Sequence, residues 1–468
     1  MTRSSLLGPL PGLSRRAIAT LPLLGLAACA FKPAGTASGI ATPARFDAAD
    51  PLAPARWPAP SWWHGFGSGE LDQLMALALR GNTDIAVAVA RMRQADAQVR
   101  IAGGALLPTA DLSLGGQRAQ ARNQRTSNSF SAQVSASYEI DFWGKNANNL
   151  EAARRSAAAS AYNAAAVMLT VQASVATTYF TLLGSQEQLA IGQDNLAIAE
   201  RSLSILRSRR QFGTATGLDL AQQETVAAQQ RANIPGLIRT VEQNRTALAT
   251  LTGQVPQQVH PQGGGFNEIT VPEIAPGQPA ELLARRPDVL AAEANLAAAQ
   301  ADIAAARAAL FPSLTLDLSA GFSASRLASL MRPESQLFSL AGSVLQPIFR
   351  GGALRGAVQL SQAQAEELLA SYRAAIIAAL VDVEDSLTGL NRSTEQTELQ
   401  RAAVESAQRA FTIAEAQFRA GTIDLLTLLN TQQTLFSVRN SLIAARLERL
   451  SSAVSLFRAL GGGWVPQP

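Results

Sequence analysis

The sequence predicts a mainly α-helical chain with a transmembrane β-barrel part. Three observations predict it. The chain is written twice. Each copy holds a pair of strand-length stretches in which apolar and polar residues alternate. Each copy also holds a proline-free stretch far longer than an ordinary helix.

The duplication is read directly. Residues 84–108 align without a gap with residues 288–312, which lie 204 positions further on, and Asp84, Ala88, Ala90, Ala95, Ala97, Ala102, Ala105, Leu106 and Pro108 each recur as the same residue. Further along, Gly213-Thr214 matches Gly421-Thr422. A period of this size means a duplicated domain-sized unit. Copy one occupies about 70–252 and copy two about 281–461, with a linker at 253–280 and a tail at 462–468. Each copy opens on a helix, expected at 70–107 and 280–310. Both stop before a proline, Pro108 or Pro312, because the residue ahead of proline is driven out of the helical region.

Period two follows each proline. Leu112 and Leu114 alternate with Asp111 and Ser113; Val134, Ala136, Tyr138 and Ile140 alternate with Gln133, Ser135, Ser137 and Glu139; Leu314, Leu316, Leu318 and Ala320 alternate with Thr315, Asp317 and Ser319. A fourth, weaker strand is expected near 338–345. Alternation suits a one-sided soluble sandwich or a strand between lipid and water. Four strands of about ten residues between very long helices, with no partner sheet elsewhere in the chain, favour the membrane barrel.

The long helices come next. No proline occurs from 109 to 234 or from 348 to 465. A single helix over 145–210 would be ~100 Å long at 1.5 Å per residue, the scale of a periplasmic span, with bends expected at Gly184 or Gly192. Leu220, Ala227, Ile234, Val241 and Leu248 fall at sevens, as do Leu369, Ile376, Val383 and Leu390, and Leu429, Phe436, Ile443, Leu450 and Phe457. Such heptads form helix-on-helix seams. Pro235-Gly236 is expected to break the copy-one helix only.

Composition and the N-terminus narrow the class. The chain has 468 residues, 47% hydrophobic and only 16% charged, which argues against disorder. One Cys and two His leave no disulfide framework and no Cys/His zinc cluster. The net charge of +4 is local: residues 1–28 hold Arg3, Arg15 and Arg16 and no acid, so the rest has no bulk electrostatic attraction for nucleic acid. Arg15-Arg16 precede a short apolar stretch ending in Leu26-Ala27-Ala28-Cys29. About 12 apolar residues are too few to span a bilayer, so 1–28 reads as a secretory signal. Residues 43–60, with five prolines, read as an extended tether within the segment 29–69.

Enzymatic readings find no support. His64 and His260 lie in irregular segments without a spaced partner. Gly144-Lys145 resembles the end of a P-loop, but position 139 is Glu. Asp382 and Asp385 read as a solvated helix face.

Four membrane strands cannot close a barrel, and an open edge in lipid leaves backbone groups unpaired at several kcal/mol each. The chain is therefore expected to oligomerise. Two copies would make about eight strands, an interior filled by side chains; an open pore needs more.

The segment Leu26-Ala27-Ala28-Cys29 resembles a bacterial lipobox, which implies a covalent lipid on Cys29, no other cofactor, and outer-membrane sorting with Ala30 next. The chain as a whole resembles TolC-like outer-membrane efflux proteins, in particular the NodT-type lipoprotein branch that works with resistance-nodulation-division (RND) pumps. The carriers are Trp62-Trp63-x-x-Phe66; Asn82-x-Asp84 with Ala90-Arg91; Glu139-x-Asp141-x-Trp143-Gly144; Leu218-Asp219-x-Ala221-Gln222; Leu282-Leu283-x-Arg285-Arg286-Pro287-Asp288-Val289; Gln346-Pro347-Ile348-Phe349-x-Gly351-Gly352; and Leu460-Gly461-Gly462-Gly463-Trp464.

The resemblance implies a homotrimer: a 12-stranded barrel among outer-membrane lipids, a long α-helical periplasmic barrel, and a belt from the N-terminal stretch, linker and C-terminus. It implies a passive exit duct partnered by a periplasmic adaptor and an inner-membrane RND-type pump. The turns Phe212-Gly213-Thr214 and Ala420-Gly421-Thr422 would be adaptor-contact tips. Asp424, Leu426, Thr427, Asn430 and Asp219 would form the periplasmic gate, with Asn430 standing where the family often has a carboxylate and Asp424 equally suited to cap a helix. Competing readings are a periplasmic adaptor lipoprotein, a duct for type I protein secretion, and a trimeric fibrous adhesin. The exported substrate is not legible.

Overall fold

The computed structural model describes residues 38–49, 54–120, 126–261 and 265–465. Among them, a 3-10 turn at Trp62–Phe66 is followed by α1 (Gly69–Gly81), α2 (Thr83–Gly104), β1 (Thr109–Ala119), β2 (Ser127–Ile140), α3 (Lys145–Gln211), α4 (Gly217–Thr252), α5 (Pro279–Leu283), α6 (Pro287–Ala308), β3 (Ser313–Ala324), β4 (Gln336–Leu345), α7 (Ala353–Ala420) and α8 (Leu425–Ala459). The chain divides into two compact units. The signal segment 1–28 and Cys29 lie outside the described residues.

One unit combines Ala95–Ala157 with Asn295–Leu368 and holds the sheet. The strands are antiparallel in the order β1-β2-β3-β4, so each copy contributes a hairpin and β2 pairs with β3 across the copies. Leu112 faces Val134, Val134 faces Ala320, and Ala320 faces Phe338. Successive side chains point to opposite faces, so even-numbered residues of all four strands share one face. That face carries Leu112, Leu114, Phe130, Val134, Tyr138, Ile140, Leu314, Leu316, Leu318, Phe322, Phe338, Leu340 and Val344. The odd-numbered face is largely polar and rich in serine, with Asp111, Gln133, Glu139 and Asp317, and carries Leu337 and Leu345 on β4. No residue of the four strands is buried. Beneath the sheet, Trp143 stacks on Phe311 at 4.8 Å and donates its indole N–H to the Pro312 carbonyl at 2.8 Å.

The other unit combines Ser38–Gln94, Ala158–Ala294 and Leu369–Pro468. Its largest core gathers Trp62, Trp63, Phe66, Leu71, Met75, Tyr179, Phe180, Leu183, Leu248 and Phe457. A second core joins Phe46, Leu282 and Val289 to Ile376, Val383, Leu387 and Leu456. A third runs between the helices with Leu206, Phe411, Phe418, Leu428, Leu435 and Phe436. Heptad positions Ala227, Leu248, Ile376, Val383, Phe436, Ile443, Leu450 and Phe457 are buried. α3 has a window long and apolar enough to cross a membrane, but 56% of it is buried inside the protein, as befits a core helix.

Four expectations are corrected. The helix expected over 70–107 is two helices. Asn82 ends α1 and caps α2: its Oδ1 accepts from the Asp84 and Ile85 N–H groups at 2.9 and 3.1 Å while its Nδ2 donates to Leu251 O at 2.9 Å. The counterpart at 280–310 is also split, because α6 begins at Pro287, whose fixed φ suits a first turn. Pro235 does not break α4, which runs through it. Proline removes a single donor, and Ile234 and Leu237 on either side of the Pro-Gly pair pack over Gly192 of α3. Gly192 is thus a close-approach site within a continuous helix. Finally, Asp382 is not a merely solvated carboxylate but partners Arg286 at 3.0 Å.

Candidate functional site

Two helical hairpins end in turns of the same design. After α3, Gly213 takes φ +72° and its N–H donates to Arg210 O at 3.0 Å, while the Thr214 N–H donates to Arg209 O at 2.9 Å. After α7, Gly421 takes φ +78°; its N–H donates to Phe418 O and that of Thr422 to Gln417 O, both at 3.0 Å. These are Schellman stops, in which a left-handed residue lets the final carbonyls be satisfied. Thr214 and Thr422 add hydroxyl bonds to the same Arg209 and Gln417 carbonyls. Arg209 joins the turns: its Nη1 donates to Phe418 O at 3.1 Å and its guanidinium lies 4.8 Å from the Phe418 ring centre. Phe212 is 82% exposed beside Gly213, and Ala420 is exposed beside Gly421.

The next helices start with the same residue types in reversed order. Thr216 caps α4 in a reciprocal box: its Oγ1 accepts from Asp219 N–H at 3.1 Å, and Asp219 Oδ2 accepts from Thr216 N–H at 2.8 Å. Asp424 caps α8, its Oδ1 accepting from Thr427 N–H at 2.9 Å. That bonding to Thr427 holds the Asp424 carboxyl below its ordinary range. On α8, Leu425 and Leu428 are buried, while Leu426, Thr427 and Asn430 are exposed on the opposite side, Leu426 by 63%. Spacings of three and four set these three on one stripe. Asp219 is therefore held in its cap, and Asp424 combines a cap with an exposed charge.

A third polar centre was missed from the sequence. Arg286, 8% exposed, grips Asp288 with Nε and Nη2 at 3.0 and 2.6 Å and Asp382 Oδ2 with Nη1 and Nη2 at 3.0 Å, and reaches the Ala379 and Ala459 carbonyls at 3.5 and 3.4 Å. Burial would raise the Asp288 pKa, but the Arg286 bonds and charge outweigh it and hold it low. The fork ties α6 to α7 and α8. The Arg-Pro-Asp run hinted at it, but nothing local pointed to Asp382. Tyr179 is pushed up to about 12 by burial, with its hydroxyl 3.0 Å from Ser68 Oγ and 3.1 Å from Glu70 Oε2. His64 does have a partner, Asp72, at 2.6 Å. Among the described residues no three His, Cys, Asp or Glu side chains gather as a metal site.

The family model described as outer membrane efflux protein matches residues 74–254 and 279–462. The chain is similar to the pyoverdine export outer membrane protein OpmQ of Pseudomonas putida, 41% identical over 96% of this chain and 98% of that one. It is also similar to the toluene efflux pump outer membrane protein TtgF of Pseudomonas putida, 32% identical over 86% and 85% of the two chains. Among solved structures, the outer-membrane channel OprN matches with TM-score 0.87 and 27% identity over 93% of this chain and 100% of that one. The open state of the Neisseria gonorrhoeae MtrE outer membrane channel matches with TM-score 0.85 and 27% identity over 93% and 98%.

Proposed function

Because this chain belongs to the outer membrane efflux protein family, we propose that three identical copies assemble into one pipe, a 12-stranded barrel above a helical tunnel, that serves an RND-type pump through a periplasmic adaptor. The protein is an outer-membrane channel, the passive exit duct of a tripartite efflux system, and not an enzyme. Channels of the family are trimers that work with adaptors and inner-membrane pumps.

The carrying observation is the open sheet. Among the described residues its order leaves β1 and β4 without a partner on their outer edges, and one face is largely apolar with none of its residues buried. In hydrocarbon every unpaired N–H and C=O costs several kcal/mol, so the edges must pair with other copies. Three copies make 12 strands, enough for an open lumen. The serine-rich face then lines water and the apolar face meets lipid.

In this reading the turns Phe212-Gly213-Thr214 and Ala420-Gly421-Thr422 receive the adaptor. Asp424, Leu426, Thr427 and Asn430, with Asp219 from the first turn of α4, repeat three times around the axis as a gate, with an apolar ring at Leu426 that dewets and an acidic ring at Asp424 that repels anions. Cys29 carries the lipid anchor, and Cys29→Ser should abolish palmitate labelling. The RND assignment is supported by the lipobox and the Arg285-Arg286-Pro287-Asp288 run. Cargo is chosen by the pump; relatives of this chain are named for pyoverdine and for toluene.

The test is purification in detergent, mass by light scattering, and conductance in planar bilayers. A particle of three chains that conducts after its gate is loosened supports the duct. A monomer with its sheet intact overturns it.

A further inference from the structure

The hairpin end of the sheet, away from the helices, carries charge of mostly one sign. Across residues 115–120, 126–131 and 321–338 the charged side chains are Arg118, Arg326, Arg332 and Glu334. No carboxylate among the described residues pairs with any of the three arginines. Two of them share a level. Arg118 faces Asn128 across β1 and β2, two residues beyond the pair Gly116 and Phe130. Phe130 in turn faces Ala324 of β3, and Arg326 follows Ala324 by two residues with its backbone still extended, φ −131° and ψ 136°. The Arg326 carbonyl accepts from the N–H and the hydroxyl of Ser329 at 3.1 and 2.9 Å, which fixes the start of the loop. Arg118, Asn128 and Arg326 thus stand in one line across three neighbouring segments of the chain, and all three are exposed.

We propose that this line is a phosphate site for a lipid of the outer leaflet. Arg118 and Arg326 flank a lipid phosphate seated over Asn128, whose amide supplies a further donor. Guanidinium forks suit phosphate oxygens, and the two arginines are two strand spacings apart, ~10 Å, with Asn128 between them. The inference rests on the reading that the apolar face meets lipid, and it names the lipid group held at that face's outer rim.

Depth selects the partner. From Ile140 to Phe130 the apolar face runs ten residues along β2. That is ~34 Å along the strand, and ~24–28 Å along the membrane normal at a tilt of ~35–45°. It matches the ~25 Å apolar band of outer-membrane barrels. Phe130, Phe322 and Phe338 each lie within four residues of the hairpin end of their strand, all on the apolar face, as an aromatic girdle requires. Arg118 is ~7 Å further along its strand than the level of Phe130, within a headgroup layer ~5–8 Å thick. Alternation sets Arg118 and Asn128 on the same face as Phe130. The line therefore continues the lipid-facing surface at the depth where phosphates lie. The rival occupant of Arg118 is Glu334 of a second copy, because Glu334 lies just before β4, whose outer edge is open.

Lipid retention by the full chain tests the site. The protein is purified in a maltoside detergent, and binding of bis-phosphorylated lipid A is followed by native mass spectrometry, with the mass of the particle taken by light scattering. Arg118→Gln and Arg326→Gln should each weaken binding about fivefold and the pair about 30-fold, while Arg118→Lys with Arg326→Lys keeps most of it. Lipid A stripped of its phosphates should bind no better to wild type than to the doubly substituted chain. Arg350→Gln removes the same charge beyond the other end of the sheet and should change nothing; an equal loss there overturns the site. Displacement of lipid A by millimolar inorganic phosphate makes this a site for free anions and overturns the lipid reading. Unchanged lipid binding, with heat resistance of the trimer falling alike in Arg118→Gln and Glu334→Gln, gives Arg118 to the second copy instead. The line lies within one chain, so the two readings separate. A wild-type monomer that still binds lipid A through its arginines overturns the three-copy pipe and keeps the site. A conducting trimer that binds lipid A no better than the doubly substituted chain overturns the site alone.

Discussion

Replacing Arg286 by methionine should loosen the junction of α6, α7 and α8 without emptying it of volume. The side chain is 10% exposed and its guanidinium serves two carboxylates, Asp288 by a two-pronged bond and Asp382 through one oxygen. Breaking a fully buried pair by removing one partner costs ~3–5 kcal/mol. Here the orphaned carboxylates are 43% and 38% exposed and can recover part of their hydration, which lowers the expected loss to about 2–3 kcal/mol. The contacts to the Ala379 and Ala459 carbonyls are long and add little. Large membrane assemblies unfold irreversibly, so the observable is a lifetime. At a temperature where wild-type trimers survive for hours, the Arg286→Met half-life should fall roughly 30-fold or more, provided the contact is lost before the unfolding barrier. Arg286→Lys keeps the charge but not the fork and should fall between. The pH dependence has a definite sign. The Asp288 pKa is depressed in the folded protein, so its contribution is present above the usual carboxylate range and disappears as pH falls through the depressed value. The gap between wild type and Arg286→Met should persist at neutral and mildly acidic pH and narrow only below about pH 4. An unchanged half-life for Arg286→Met, or equal damage from Lys and Met, would refute the reasoning.

The tips, the gate and the C-terminal turn each offer a sharper single-site test. Gly213→Val or Gly421→Val forces a branched residue to φ above +70° where no backbone lies within 4 Å; efflux should be lost with trimers still present in the membrane, and loss of trimers would make the glycines purely structural. Asp424→Asn keeps a capping oxygen but removes the charge, whereas Asp424→Ala removes both; if the charge serves the gate, both raise the closed-state leak in bilayers, and an unchanged leak in both leaves Asp424 as a cap only. Gly463 holds φ +73°, and a Cβ added there would lie only 2.2 Å from the Ala59 carbonyl carbon, so Gly463→Ala should sharply reduce the folded protein in the outer membrane, as read by immunoblot of membrane fractions.

Much of the fold was legible because its signals are local. Strand alternation from Leu112 to Val344, the proline stops at Pro108 and Pro312, and the heptads through Ile376, Val383 and Leu390 all depend on neighbours a few residues apart. The misreadings share the opposite cause. Asn82 looks like an ordinary helical residue until its amide is seen bonded to Leu251 O, 169 positions away. Pro235 reads as a breaker because the packing of Ile234 and Leu237 on Gly192 is tertiary. Asp382 reads as solvated because Arg286 lies 96 positions off. At the candidate site the glycine turns were visible from composition, and the two caps follow from Thr216 and Asp424 preceding helices. The common side of Leu426, Thr427 and Asn430 follows from helical spacing once α8 is located.

The polar face of the sheet has a consequence for how such a protein can be reused. Ser129, Ser131, Ser135, Ser137, Ser319, Ser323, Ser339 and Ser343 are short, neutral and able to give or accept a hydrogen bond. In the proposed duct a wall rich in them offers no apolar hold, while Asp111, Glu139 and Asp317 on the same face bias it only by charge. Selection for a new cargo need not reshape this conduit, and a lineage can change what it expels by exchanging the machine upstream while inheriting the same outlet.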